Sequence, residues 1–359
     1  MKRKFIIFTL LQLIITTIAA QTALTTYRPG LTAEGAVYYL PKTAIRITVR
    51  IEKTSYQPGD FCRYAQRYLR MNDVAQKPSV AYRVVDIRQQ TVAVADTSKA
   101  YSVKFDAKTA ASNIILSDDG VLLAINAEPR RLPSEAAFTP APQPELPNPR
   151  QFMSEEILSA GSTSKMAELT AREIYDLREN RNLLIKGQAD FMPKDGEQLR
   201  LMLNQLELQD RALSSLFVGT TQCDTTEHSF LVCPTGTSAK RVLFRLSQHL
   251  GLVDSDDLSG RPFYVSVDDL QAALPKDETA AKQKKKKVES GIYVNVPGKM
   301  RATLYDGITP VSVMEHPAPQ FGHVELLSGD LFNKRYTTHL RLHPLSGAIE
   351  KLEAETPKK

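Results

Sequence analysis

Ser162-Thr163-Ser164-Lys165-Met166-Ala167-Glu168-Leu169-Thr170-Ala171 opens the stretch that decides the fold. Three hydroxyl residues in a row offer N-caps, because a side-chain oxygen at that position accepts an otherwise unpaired N–H of the first turn. Behind them Ala167, Ala171, Ile174, Leu177 and Leu184 recur at three-, four- and seven-residue steps, the spacing of one helical face. Glu168–Arg172 and Arg172–Asp176 add i,i+4 charge pairs. The pattern predicts a helix over about Lys165 to Lys186. Gly187 and Pro193 bound a turn, and Leu199, Met202, Leu203, Leu206, Leu213, Leu216 and Phe217 predict a second helix over about Asp195 to Phe217. Each spans roughly 33 Å at 1.5 Å per residue. The short connection makes them a long antiparallel αα-hairpin. Two helices enclose no core alone, so the hairpin has to rest on the remainder of the chain.

That remainder reads as β. Ile45, Ile47, Val49 and Ile51 alternate with Arg46, Thr48, Arg50 and Glu52, the period of a half-buried strand. Pro58-Gly59-Asp60 breaks the strand, and Phe61, Tyr64, Ala65, Tyr68 and Leu69 predict a short helix over Asp60 to Arg70. Strands follow near Tyr82–Val84, Thr91–Ala95 and Tyr101–Phe105. Ile114–Leu116 and Val121–Ile125 form a hairpin around Asp118-Asp119-Gly120, a turn that tolerates positive φ. Seven prolines between Pro129 and Pro149 mark a semi-extended linker or strap, because proline can neither donate to a ladder nor sit inside a helix. Beyond the helices, nine candidate strands lie between Ser229 and Leu352, split by Pro-Gly, Asp-Gly and Ser-Gly turns.

Met1-Lys2-Arg3-Lys4, an apolar run from Phe5 to Ile18 and Ala19-Ala20 have the basic head, greasy centre and small exit of a signal peptide. The run is short of the roughly 20 residues of a membrane span. The expectation is cleavage near Ala20, export, and a periplasmic or outer-membrane-associated address. The expected layout is 1–20 signal peptide, 21–127 β-rich with one short helix, 128–152 Pro-rich linker, 153–218 helical hairpin, and 219–359 all-β and sandwich-like, with a Lys-rich loop at 276–290. The fold class is α+β. The sequence leaves open whether the two β regions share a core.

The 359 residues carry a formal charge of +6, and loss of Lys2, Arg3 and Lys4 would leave about +3. So small an excess points to no polyanionic partner, and nucleic acid is excluded on that ground and by the expected address. Cys62, Cys223 and Cys233 include no CxxC pair. A Cys223–Cys233 bridge requires their strands to face each other and is left open.

Ser162 and Lys165 fit the S-x-x-K spacing of penicillin-recognising enzymes, but no S-D-N or K-T-G accompanies them. Capping is the preferred role. His339 and His343 are the one close histidine pair, and the alternation of Thr337–Leu342 places them on a strand with Leu340 and Leu342 buried. No third metal ligand is identified. Arg63, Arg67 and Arg70 beside Tyr64 and Tyr68 read as a solvated basic face, and Asp254 to Asp257 as a turn. No catalytic, cofactor-binding or metal-ligating residue is assigned.

Several segments together resemble a known family. They are Ala36–Lys42 running into the Ile45 strand, Glu156–Thr163 with Met166–Leu169, Asp190–Gly196 at the hairpin turn, Gln320-Phe321-Gly322, and Ser346-Gly347-Ala348. The chain is similar to exported bacterial proteins grouped as domain of unknown function 4831. The resemblance implies no activity, cofactor or site residue. The functional expectation is a non-catalytic binding or assembly component of the bacterial cell envelope. It would meet an envelope protein or a second copy through the hairpin. A hydrolase acting on an envelope glycan or peptide, and a carbohydrate-binding β-sandwich, are the alternatives.

Overall fold

The structure is a computed structural model. It describes residues 31–32, 35–104, 113–133, 136–143, 145–193, 195–271, 291–332 and 337–355. Segment 1–20 and loop 276–290 lie outside the described residues.

In chain order the strands and helices are β1 (Leu31–Thr32), β2 (Gly35–Gln57), β3 (Ser79–Lys104), β4 (Ile114–Leu116), β5 (Leu122–Ile125), α1 (Glu155–Leu158), α2 (Thr163–Lys186), α3 (Gly196–Val218), β6 (Thr220–Val232), β7 (Ser238–Ser247), β8 (Gly251–Val253), β9 (Arg261–Asp269), β10 (Gly291–Asp306), β11 (Thr309–Ser328), β12 (Thr337–Leu342) and β13 (Ile349–Glu355). The fold is α+β and strand-rich. In the first sheet β2 pairs with β3 on one side, and with β1 and then β6 on the other. The second runs β11-β10-β9-β7-β8 and the third β13-β12-β5-β4. Every ladder between these strands is antiparallel.

The two β regions share cores and also share sheets. Ile45 lies opposite Val232, and Leu340 opposite Ile125. One core packs Ile45, Ile47, Val49 and Ile51 of β2 against Phe244, Phe263, Val265, Met300 and Leu304. A second packs Ala36, Tyr38 and Leu40, from the start of the same β2, against Leu122, Ile125, Ile292, Val294 and Leu340. β2 and β10 thus run through both cores. Burying one such side chain stabilises by roughly 1.5–3 kcal/mol, so each long strand is held at many points.

The separate strands expected at Tyr82, Thr91 and Tyr101 are one strand, β3, of 26 residues. Likewise, the pieces expected on either side of Pro297-Gly298 join into β10, with a register shift between Val296 and Gly298. A proline without a donor is tolerated where no neighbour needs its N–H. β9 pairs with β10 only from Met300 to Asp306, which leaves Pro297 outside that ladder. Pro317 and Pro319 sit in β11, the edge of its sheet.

The short helix expected over 60–70 is a 3₁₀ turn at Cys62–Tyr64 that widens into a π turn at Ala65–Leu69 and ends on Arg70 at φ 58. Its stripe is as expected: Phe61, Ala65 and Leu69 are buried, with Tyr64 and Tyr68 packed beside them. The backbone departs from a regular helix where it is bonded to α3, Phe61 N donating to Leu216 O at 2.7 Å. The Pro-rich stretch is pinned at intervals as a strap. Arg130 pairs with Glu350 at 2.8 Å, the Arg50 guanidinium sits 4.6 Å over Phe138, and Gln143 donates to Cys223 O.

Candidate functional site

α2 begins on Ser162, whose Oγ accepts from Lys165 N at 3.2 Å, and ends on Gly187 in the left-handed region at φ 69. α3 begins on Asp195, whose carboxylate accepts from Gln198 N at 2.7 Å. Each cap removes an unpaired donor, and glycine ends α2 without a Cβ penalty. The two helices run antiparallel, and Arg178 grips Asp210 through three contacts of 3.1–3.2 Å.

Along its length this pair has two different environments. Near its base, Ala167, Ala171, Ile174 and Leu177 of α2 and Leu213, Leu216 and Phe217 of α3 are covered by Phe61, Ala65 and Leu69, with Phe152 and Met153 alongside. Phe61 and Phe217 meet at 5.5 Å between centroids. Toward the connecting turn the covering segment is gone. Residues 199–208 of α3 hold six large apolar side chains, and no residue between 196 and 211 is buried. Between the helices lies an open groove of about 470 Å³, walled by Leu183, Leu184, Phe191, Met202 and Leu206 and rimmed by Asn180, Gln205 and Gln209. Leu206 also packs on the base core. Leu184 stands two turns from Leu177, and Leu206 two turns from Leu213. Seven residues return to nearly the same face, so the groove continues the stripe that is filled at the base.

Phe191 of the groove wall is 69% exposed, and outside the groove Ile185 is 60% exposed, Leu201 59% and Leu208 37%. An apolar groove with exposed large apolar side chains on the helices that form it marks a contact site on a folded protein more often than chance. Only the stripe through Met202, Leu206 and Leu213 was legible from periodicity. The exposed residues were missed because Leu201 and Leu208 fall off that stripe. The available signal was a count: six large apolar residues in ten exceed what one helical face needs.

The other candidates are dispersed. Lys165 Nζ pairs with Glu168 at 3.1 Å, so Ser162 is a cap whose lysine is engaged elsewhere. β12 alternates as expected, with Leu340 and Leu342 fully buried. His339 Nδ1 donates to the carbonyl of Asn126, whereas His343 Nδ1 lies 3.3 Å from Ser346 Oγ. Among the described residues no three His, Cys, Asp or Glu side chains are grouped to hold a metal. Arg63, Arg67 and Arg70 are exposed. The Asp257 carboxylate accepts from Ser259 N at 2.8 Å within its turn, and that bond holds its pKa below the usual carboxylate value. Cys223 and Cys233 are free and exposed, one within β6 and the other just past its last residue, rather than on facing strands.

The family model for "Domain of unknown function (DUF4831)" matches residues 34–350. No curated protein and no solved structure matches the chain.

Proposed function

The chain belongs to this family of unknown function, and from that premise we propose that it is a non-catalytic binding or assembly component of the bacterial cell envelope. The observation that carries the reading is the half-filled groove between α2 and α3. The protein itself supplies the occupant at the base, an apolar turn bearing Phe61, Ala65 and Leu69, and leaves the continuation open to solvent. An apolar helix laid into that continuation would bury Leu183, Met202 and Leu206 by helix-in-groove packing. The envelope address is supported by the leader-like residues 1–20, and among the described residues no helix is long and apolar enough to cross a membrane.

The test is in-cell photo-crosslinking from a reactive amino acid at Met202, with one at the exposed loop residue Leu258 as control. The expected result is a discrete product from position 202 that is absent from position 258. Equal or no labelling at the two positions would sink the reading.

A further inference from the structure

We infer that the occupant of the open groove is the same groove-bearing helix pair of a second copy, so that two copies close a four-helix bundle. This rests on the docking reading above and names its partner.

The first argument is shape. Successive residues of a helix point about 100° apart. On α3 Met202 of the groove wall and Gln209 of its rim line the groove, and one residue back in each case stand Leu201 and Leu208. Leu201 and Leu208 are therefore a ridge roughly a quarter-turn from the groove, spaced by seven residues, and both are solvent-exposed. One helix thus presents an apolar ridge and, beside it, an apolar groove. A two-fold axis requires this of a self-complementary surface, because what each copy offers the other must receive. Leucines seven residues apart also have the heptad spacing of knobs that pack into holes on a facing helix.

The second argument is charge. Between Arg178 and Arg211 the chain carries six Lys or Arg and six Asp or Glu. A surface suited to a partner of one sign carries the opposite sign, whereas one that meets itself is free of repulsion only near neutrality. Several of the charges are already paired within the copy, as in Arg178–Asp210, Glu197–Arg200 and Glu207–Arg211. The third argument is continuity. The stripe filled by Phe61, Ala65 and Leu69 at the base runs without a break into the open part through Leu206. Apolar helical packing therefore already begins at the edge of the proposed contact.

The test is sedimentation equilibrium of the purified full chain, together with the Leu201→Glu/Leu208→Glu double variant and Leu258→Glu as a surface control. The expected result is a dimer with Kd below about 100 μM, weakened by roughly 100-fold or more in the double variant and unchanged in the control. Circular dichroism should match the unsubstituted chain, since both leucines are exposed. A chain that stays monomeric at that concentration overturns the dimer. If the monomer still crosslinks through position 202 to another protein, the docking reading stands without the dimer; if it does not, both fall. A dimer indifferent to the double variant also overturns the inference.

Discussion

The His316 imidazole donates its Nε2–H to Gln89 Oε1 at 3.2 Å across the space between β11 and β3. The amide of Gln89 is oriented by its other end, where Nε2 donates to Ser312 Oγ at 2.9 Å and approaches Ala302 O at 3.4 Å. The remaining ring nitrogen accepts from Thr91 Oγ1 at 2.8 Å. The ring is 2% exposed, and the network is wired for the neutral imidazole.

Burial lowers the pKa of His316 below the ordinary histidine value. In the unfolded chain that value is about 6.5. Below it the unfolded state takes up the proton more readily than the fold does, so this group's contribution is whole above about pH 6.5 and is lost as pH falls toward the folded pKa. The urea midpoint should therefore drop between pH 7.5 and 5.5, and the drop should be smaller in His316→Gln. Equal drops in both proteins would show that His316 contributes nothing to acid sensitivity.

Gly322 lies where β11 crosses the register shift of β10. A Cβ there would sit 1.8 Å from Val296 O and 2.9 Å from Gly298 N. Two backbones cannot yield as a side chain can, so Gly322→Ala should cost about 3 kcal/mol or more. At Gly298 the nearest atom would be Phe321 O at 3.1 Å, and Gly298→Ala should cost about 1 kcal/mol. Thermal melts of the two variants check the order.

Asn295 is 1% exposed and ties three segments together. Its Nδ2 donates to Pro41 O at 2.9 Å and to Ser346 O at 3.0 Å, and its backbone N–H donates to Gly347 O. Asn295→Ala strands two buried carbonyls, at about 1–3 kcal/mol each. Asn295→Asp should be worse, because a carboxylate faces the same two acceptors with no donor. Chemical denaturation of the two variants decides the point, and an Asp variant as stable as the Ala one would contradict it.

Cys223 and Cys233 stand ten positions apart along β6 and its end, roughly 33 Å at 3.3 Å per residue. A disulfide needs Cα atoms within about 7 Å. Alkylation of the unfolded, unreduced chain should therefore add three groups, one at each free cysteine. Two missing adducts on one molecule would reveal a bridge that this fold forbids.

Where sequence and structure agree, short-range chemistry decided the matter. Ser162 caps α2 because the accepting oxygen and the donor N–H are three residues apart, and Asp195, read as the first residue of the second helix, caps it by the same spacing. Thr338, Leu340 and Leu342 bury because alternation alone sends them to one side. The stripe of Phe61, Ala65 and Leu69 was legible for the same reason, even though its backbone follows no regular helix. Strand lengths were less legible. Pro297 and Pro317 look like stops until the partner strand at each point is known, and the distal groove was hidden because periodicity reports a stripe and not what covers it.

The sequence by itself determined the α+β content, the two long helices with their approximate ends, and which residues turn inward along the alternating stretches of β2 and β12. Only the tertiary structure decided that β6 lies against β2, that β12 lies against β5, and that the helix pair is covered at one end and bare at the other. The physical reason is that backbone donors and acceptors are alike in every strand. An alternating segment states its inward face but not its neighbour, and that choice is made by the shared cores across more than a hundred residues of intervening chain.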